Sequence, residues 1–266
     1  MSILHEFFVS PFEEFYKYRE LIWYNLKAEL KRRHFRKILG PLWWVGEPLS
    51  LAGIFVFVTT FLFKNAFGEH HVATVIVSVL VWHWLAKSVT GAPNILLGFR
   101  KELSSTNLPI YPLIFSNIMT HLMTFGFSLV VIFITLIISG VEFTSNIAYL
   151  PLLIIIQFTI IVGTVTNLAR AGIFFRDLSP VVTAAMGILF FASPIIYQRF
   201  TIPEEYQIWF SINPLGTLLP AWRDVLIYGN SPDLAMLGLW FLVFLFVAFV
   251  GFKRLSQSRA DFYKRL

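Results

Sequence analysis

Six long, largely apolar runs constrain this chain more than any other feature. They fall at about 41–63, 72–89, 108–139, 147–169, 178–198 and 234–252. A bilayer's hydrocarbon layer is about 30 Å thick, and about 20 residues of α-helix cross it. Inside it each backbone N–H and C=O must be satisfied by protein, so only helices and closed barrels can span. A barrel requires alternating polar and apolar residues in segments of about ten, and these runs do not alternate. The expected fold is all-α: a polytopic membrane protein with six transmembrane helices. Composition agrees, with 57% hydrophobic and 14% charged residues in 266, against about 25% charged in a soluble domain. Little chain remains for a separate catalytic domain.

Charge orients the spans. An even number puts both termini on one side, and the segments on that side hold 18 of the 21 Lys and Arg residues. The stretch up to Gly40 alone carries 8 and the tail after residue 252 carries 5. Cytoplasmic segments are enriched in Lys and Arg, so both termini are expected in the cytoplasm. The net charge of +6 is thereby topogenic, and no nucleic-acid partner is expected. Residues 1–40 read as a cytoplasmic amphipathic interface segment, 41–252 as the transmembrane domain and 253–266 as a basic cytoplasmic tail. Met1 to Lys17 lack the apolar core of a signal peptide, so this start is expected in the mature protein. The absence of cysteine excludes a disulfide framework, a thiol nucleophile and Cys-ligated zinc.

Three segments are neither span nor simple loop. Within Pro11 to Leu39, Leu21, Ile22, Leu26 and Leu30 recur at helical spacing beside Trp23, with Lys27, Lys31, Arg32, Arg33, Arg36 and Lys37 toward the end. This pattern predicts an amphipathic helix along the membrane interface, either as a lipid anchor or as a docking surface for a partner. Residues 91–109 carry helix breakers at both ends and Arg100, Lys101 and Glu102 between. They suit a loop or a short helix under the cytoplasmic mouth. Residues 199–233 contain two apolar pieces too short to span, cut by Pro203, Pro214 and Pro220. Pieces of about ten apolar residues read as re-entrant elements. The alternative is an outer loop with Trp209 and Trp222 as interface anchors.

Ionisable residues in the spans are few. Glu47 precedes Pro48 near the start of the first span, Arg176 and Asp177 follow the fourth, and His83 and His121 are isolated. Each suits a structural contact as well as a functional one. His70 and His71 have only Glu69 nearby, a weak metal set. The nucleophile elbow, the H-E-x-x-H metal motif and the phosphate-binding loop are all missing, so any energy input must come from elsewhere.

The ordered motifs resemble the membrane subunit of ABC-2-type polysaccharide exporters, the permeases for O-antigen, capsule and teichoic acid chains. LIWYNLKAELKRRHFRKILGPLWWVGEPLS is similar to that family's basic interfacial helix entering a first span, with Leu39, Gly40, Leu42, Trp43, Glu47 and Pro48 at the motif positions. FFRDLSPVV is similar to its F-R-D turn, and SPIIY followed by IPEEYQIWFSINPLGTLLPAWRDVLIYG to its outer re-entrant pair with Asn213, Pro214 and Leu215. The basic run departs from the family at His34 and Phe35, which affects where the interfacial helix ends.

The resemblance implies a homodimer of six-span subunits in the bacterial inner membrane, driven by two copies of a separate ABC ATPase. ATP and magnesium would be bound there, with no cofactor on this chain and no enzymatic activity of its own. A lipid-linked polysaccharide, most simply O-antigen, would be the substrate. Its pyrophosphate is expected on Lys31, Arg32, Arg33, Arg36 and Lys37, with Arg100 and Lys101 as further cations, because guanidinium groups give bidentate donors to phosphate oxygens. Ile22, Trp23, Leu26, Leu30, Arg176 and Asp177 are expected to couple to the ATPase, and Trp209, Asn213, Pro214 and Trp222 to form a periplasmic gate. Capsule or teichoic acid export, efflux of a small hydrophobic drug and an integral membrane transferase are the alternatives.

Overall fold

A computed structural model describes residues 16–34, 42–61, 70–105, 110–197, 205 and 212–257. These residues are mostly helical, without a strand among them. In chain order the helices are α1 (Arg19–His34), α2 (Trp43–Phe61), α3 (His71–Gly91), α4 (Ile95–Gly98), α5 (Arg100–Ser105), α6 (Ile110–Ile138), α7 (Leu150–Phe174), α8 (Leu178–Phe191), α9 (Pro214–Arg223) and α10 (Leu234–Gln257). The chain is a multi-pass membrane protein: the stretches 71–98, 110–138, 145–174 and 234–255 are apolar and long enough to cross a bilayer.

The fifth expected span is shorter: α8 is apolar over 14 residues from Leu178 to Phe191. The described part of the first, α2, is apolar from Val45 to Phe61. The apolar run that predicts a span over 178–198 is therefore helical only as far as Phe191. Ser193 and Pro194 follow, and a proline cannot donate the N–H that would continue the ladder. The second span runs longer than its apolar stretch. It continues past Lys87 to Gly91, bends through a 3-10 turn at Ala92–Asn94 and resumes as α4.

α3 is apolar on all sides, the signature of a helix surrounded by protein. Ala73, Val75, Val77, Val79, Leu80, Val81, Trp84 and Leu85 are all buried. α2, α6, α7, α8 and α9 pack around it, and α10 packs chiefly on α7. Glycine permits the closest approaches. A Cβ on Gly163 of α7 would lie 2.9 Å from the Phe244 carbonyl of α10, and one on Gly251 would lie 2.6 Å from Asn167 Nδ2. Asn167 Nδ2 donates to the Gly163 carbonyl at 2.8 Å and to that of Val247 at 3.0 Å, an amide tie between two membrane helices. Near the end of α7, a Cβ on Gly172 would collide with the backbone of Pro93 in the 3-10 turn.

Candidate functional site

α1 lies against α6. Leu26 is 4% exposed, and Ile22, Asn25, Glu29 and Leu30 are half-buried on the same stripe. Spacings of three and four residues put these positions on one helix face. Trp23 points away from it, half-exposed, with Lys27 Nζ 4.8 Å from its ring centroid. Of the expected coupling residues, then, Ile22, Leu26 and Leu30 seat the helix on the bundle and Trp23 is turned outward. Lys31 is exposed, Arg32 and Arg33 occupy the last turn of α1, and Arg36 and Lys37 lie outside the described residues.

The other described residues assigned to this end are exposed. Arg100 and Lys101 are exposed on α5. Arg176 and Asp177 are exposed in the turn between α7 and α8, with Asp177 at the N-cap position of α8 but making no capping bond. Asn94 Nδ2 donates to Ser179 Oγ at 3.0 Å, which ties the bend after α3 to the first turn of α8. Between α1, this bend and the first turns of α6 opens a cleft of about 360 Å³ lined by Asn25, Glu29, Asn94, Phe99, Asn117 and Thr120, among others.

On α2 and α3, Glu47 Oε1 meets Lys87 Nζ at 2.7 Å and lies 3.8 Å from His83 Nε2. Glu47 and Lys87 are about half-exposed. The acid expected at the start of the first span is thus paired with the base that ends the second apolar run.

The other end of the bundle is organised by α9. Asn213 accepts the Leu215 N–H at 3.0 Å, so its side chain caps the helix, and Pro214 occupies the first turn, where its missing N–H has no cost. Asn213 Nδ2 also donates to Ser193 Oγ at 2.9 Å and to the Ala192 carbonyl at 3.2 Å, binding the start of α9 to the end of α8. α9 carries Trp222 inward until it is fully buried, edge-on to Phe125 of α6 at 5.9 Å; Phe125 in turn stacks on Trp84 of α3 at 4.3 Å. Trp222 is therefore a core residue rather than an interface anchor. Trp209 lies outside the described residues.

Arg223 follows Trp222 and is 4% exposed. Its Nε donates to Ser78 Oγ of α3 at 2.7 Å, Nη2 to the carbonyls of Pro194 and Ile195, the latter at 2.9 Å, and Nη1 to the carbonyl of Tyr197 at 3.3 Å. Asp224 opens a π-helical turn over Asp224–Tyr228. Burial raises its carboxyl above the usual range, against a hydrogen bond from Asn230 and the charge of Arg223. The turn closes at Gly229, whose φ of 66° suits glycine and whose carbonyl accepts from Asn146 Nδ2 at 2.7 Å. Asn213 and Arg223 thus grip the 192–197 turn from both ends of α9. The motif reading found Asn213 and Pro214 but passed over Arg223. An adjacent arginine and aspartate, Arg223 and Asp224, inside an otherwise apolar piece were the signal.

Among the described residues no group of three His, Cys, Asp or Glu side chains could hold a metal ion. No family model matches the chain. It is 27% identical over 205 residues, 76% of this chain and 78% of the relative, to the O-antigen export system permease protein RfbA of Klebsiella pneumoniae. It is 27% identical over 222 residues, 83% and 85% of the two chains, to the RfbA permease of Myxococcus xanthus. With a second Klebsiella pneumoniae RfbA it shares 24% over 236 residues, 88% and 91%. These similarities span most of the chain and support the resemblance carried by its motifs.

Proposed function

We propose that this chain is the permease subunit of an ABC-2-type exporter that carries O-antigen, as a lipid-linked polysaccharide, across the membrane. The observation that carries this reading is similarity to O-antigen export permeases over three quarters or more of the chain, in a helical multi-pass fold. Permease chains transport rather than catalyse, so the nucleotide chemistry belongs to a partner. In this reading two copies of the subunit enclose the path in the inner membrane, termini in the cytoplasm, and two copies of an ABC ATPase bind ATP and magnesium below them.

The grouping of α1, α5 and the Arg176–Asp177 turn at one end of the bundle supports an ATPase face there. Leu26 and Leu30 would pass a push on α1 directly into α6, while Trp23 and the basic face of the helix meet the partner or lipid headgroups. Lys31, Arg32, Arg33, Arg36 and Lys37, with Arg100 and Lys101, would hold the pyrophosphate of the carrier lipid. A rigid-body movement of the subunits would then carry α9 and the turn it grips, opening the outer side.

Deleting the chain should abolish surface O-antigen, with glycan accumulating on its carrier lipid inside the cell, and re-expression should restore it. Charge reversal of Arg32, Arg33 and Arg36 together should abolish export while the ATPase still copurifies. Normal surface glycan in the deletion strain would refute the function. Normal surface glycan in the charge-reversed strain would remove those residues from the mechanism.

A further inference from the structure

One flank of the helical bundle is polar. From Ala73 to Trp82 every residue of α3 is buried, but beyond Trp82 one side of the helix opens. His83, Lys87, Thr90 and Asn94 follow one another there at spacings of four, three and four, which puts them on one face. Glu47 of α2 borders this stripe through Lys87, and Ser179 of α8 borders it through Asn94. Ser50 and Thr183, each about one turn further along its own helix, are exposed as well. The stripe ends where Phe190 of α8 meets Phe55 of α2 at 5.1 Å and Trp82 at 5.7 Å. Other flanks differ. The exposed residues of α6, of α7 and of α10 as far as Phe249 include no polar side chain, and Val130, Ile134, Ile155, Leu242 and Phe246 are typical of them. Those faces suit lipid. A charge set against hydrocarbon costs about 2.5–3.5 kcal/mol on insertion scales. Yet Glu47, in the apolar stretch of α2, and Lys87, in a stretch long enough to span, are both about half-exposed.

We propose that this stripe lines a water-filled vestibule open to the cytoplasm, and that Lys87 is a specificity-determining residue there, cancelling the charge of Glu47 for an anionic substrate. The charge role rests on the exporter reading above. A lone carboxylate on the wall would repel the pyrophosphate of a lipid-linked glycan, and a lone ammonium would hold it. At 2.7 Å the two charges cancel beyond their own separation. The wall then offers hydroxyls, an amide and an imidazole without a net charge, and passes a substrate that the cationic mouth has gathered.

The chain has no cysteine, so single thiols report the vestibule directly. The test uses inside-out membrane vesicles holding the whole exporter, whose outer surface is the cytoplasmic one, and a membrane-impermeant charged methanethiosulfonate. Ser50 lies roughly 10 Å into α2 from Trp43, and Leu245 roughly 12 Å into α10 from Lys253. Leu245→Cys is therefore the lipid-facing control at matched depth. Ser50→Cys and Thr90→Cys should react at least about tenfold faster than Leu245→Cys, since apolar surroundings suppress the thiolate. Reaction at Ser50→Cys as slow as at Leu245→Cys would mean that Glu47 and Lys87 only snorkel to lipid headgroups. Fast reaction at Leu245→Cys would mean water on every flank. Either result overturns the proposal. Lys87→Gln should lower surface glycan at least about fivefold, the effect of about 1 kcal/mol of uncompensated repulsion, and adding Glu47→Gln should restore it. Unchanged export in Lys87→Gln, or no recovery in the double variant, rejects the charge role. Should Lys87→Gln fail to accumulate, the double variant decides alone, and lost export at normal protein level rejects that role. The deletion experiment tests the exporter reading separately, so slow labelling at Ser50→Cys beside lost surface glycan in the deletion strain rejects the vestibule alone.

Discussion

Replacing Arg223 with methionine should loosen the turn after α8 without unfolding the bundle. Methionine retains most of the volume and removes every donor. The Pro194 and Ile195 carbonyls lose their shared Nη2 donor, at about 1–3 kcal/mol per orphaned buried group. Ser78 still donates to the Thr74 carbonyl at 2.7 Å, so its loss is small, and the 3.3 Å contact to Tyr197 is weak by its length. Against this stands the relief of no longer holding a charge in a desolvated place. The balance is about 2–4 kcal/mol against the closed turn, or about 30-fold to 1,000-fold in its opening equilibrium. The chain has no cysteine, so Ile195→Cys supplies its sole thiol at a position that is 0% exposed. A membrane-impermeant maleimide should label that thiol slowly when Arg223 is present and at least about tenfold faster in the Arg223→Met background. Equal labelling rates, with both proteins expressed and melting alike, would refute the assignment of Arg223 as the clamp.

Asn213→Ala should remove the α9 cap and the two bonds to residues 192–193, lowering melting stability by about 1–2 kcal/mol, and Asn213→Asp should recover only the capping part; identical melting of both variants with the parent would contradict this. Gly172→Ala drives a methyl into the Pro93 backbone and should reduce folded yield through at least about 1–3 kcal/mol of overpacking, whereas Gly187→Ala, with open space around its Cβ, should be neutral or slightly stabilising, as size-exclusion profiles would report. Glu47→Lys and Lys87→Glu should each impair export, and the double exchange should restore it. The pair is half-exposed and adds no more than about 1 kcal/mol to stability, so melting temperatures of the three proteins should barely differ.

Much of the architecture was legible because membrane helices announce themselves by length and hydropathy. The runs at 108–139, 147–169 and 234–252 became α6, α7 and α10, and the stripe through Ile22, Leu26 and Leu30 became the face of α1 that packs on α6. Boundaries set by tertiary partners were hidden. Lys87 ends an apolar run yet not its helix, since lysine is a good helix former, and it pairs with Glu47 from another helix. The run at 178–198 looks continuous in hydropathy, but its last residues form a turn whose carbonyls are held by side chains at 213 and 223. Arg223 counted as an outer-loop charge because a charge tally carries no depth. The cleft beside α1 was invisible for a different reason: residues 25, 94 and 117 belong to three separate segments, and only packing brings them together.

The brevity of α8 reaches beyond the subunit itself. Fourteen residues rise about 21 Å, roughly 9 Å short of a typical hydrocarbon thickness. With α8 taken as the fifth span of the proposed exporter, the bilayer beside it would thin locally, or water would sink into a dimple above residues 192–197. Either outcome brings the two aqueous phases closer at that flank, so a hydrophilic polymer passing there would face a narrower oily barrier than elsewhere in the same membrane.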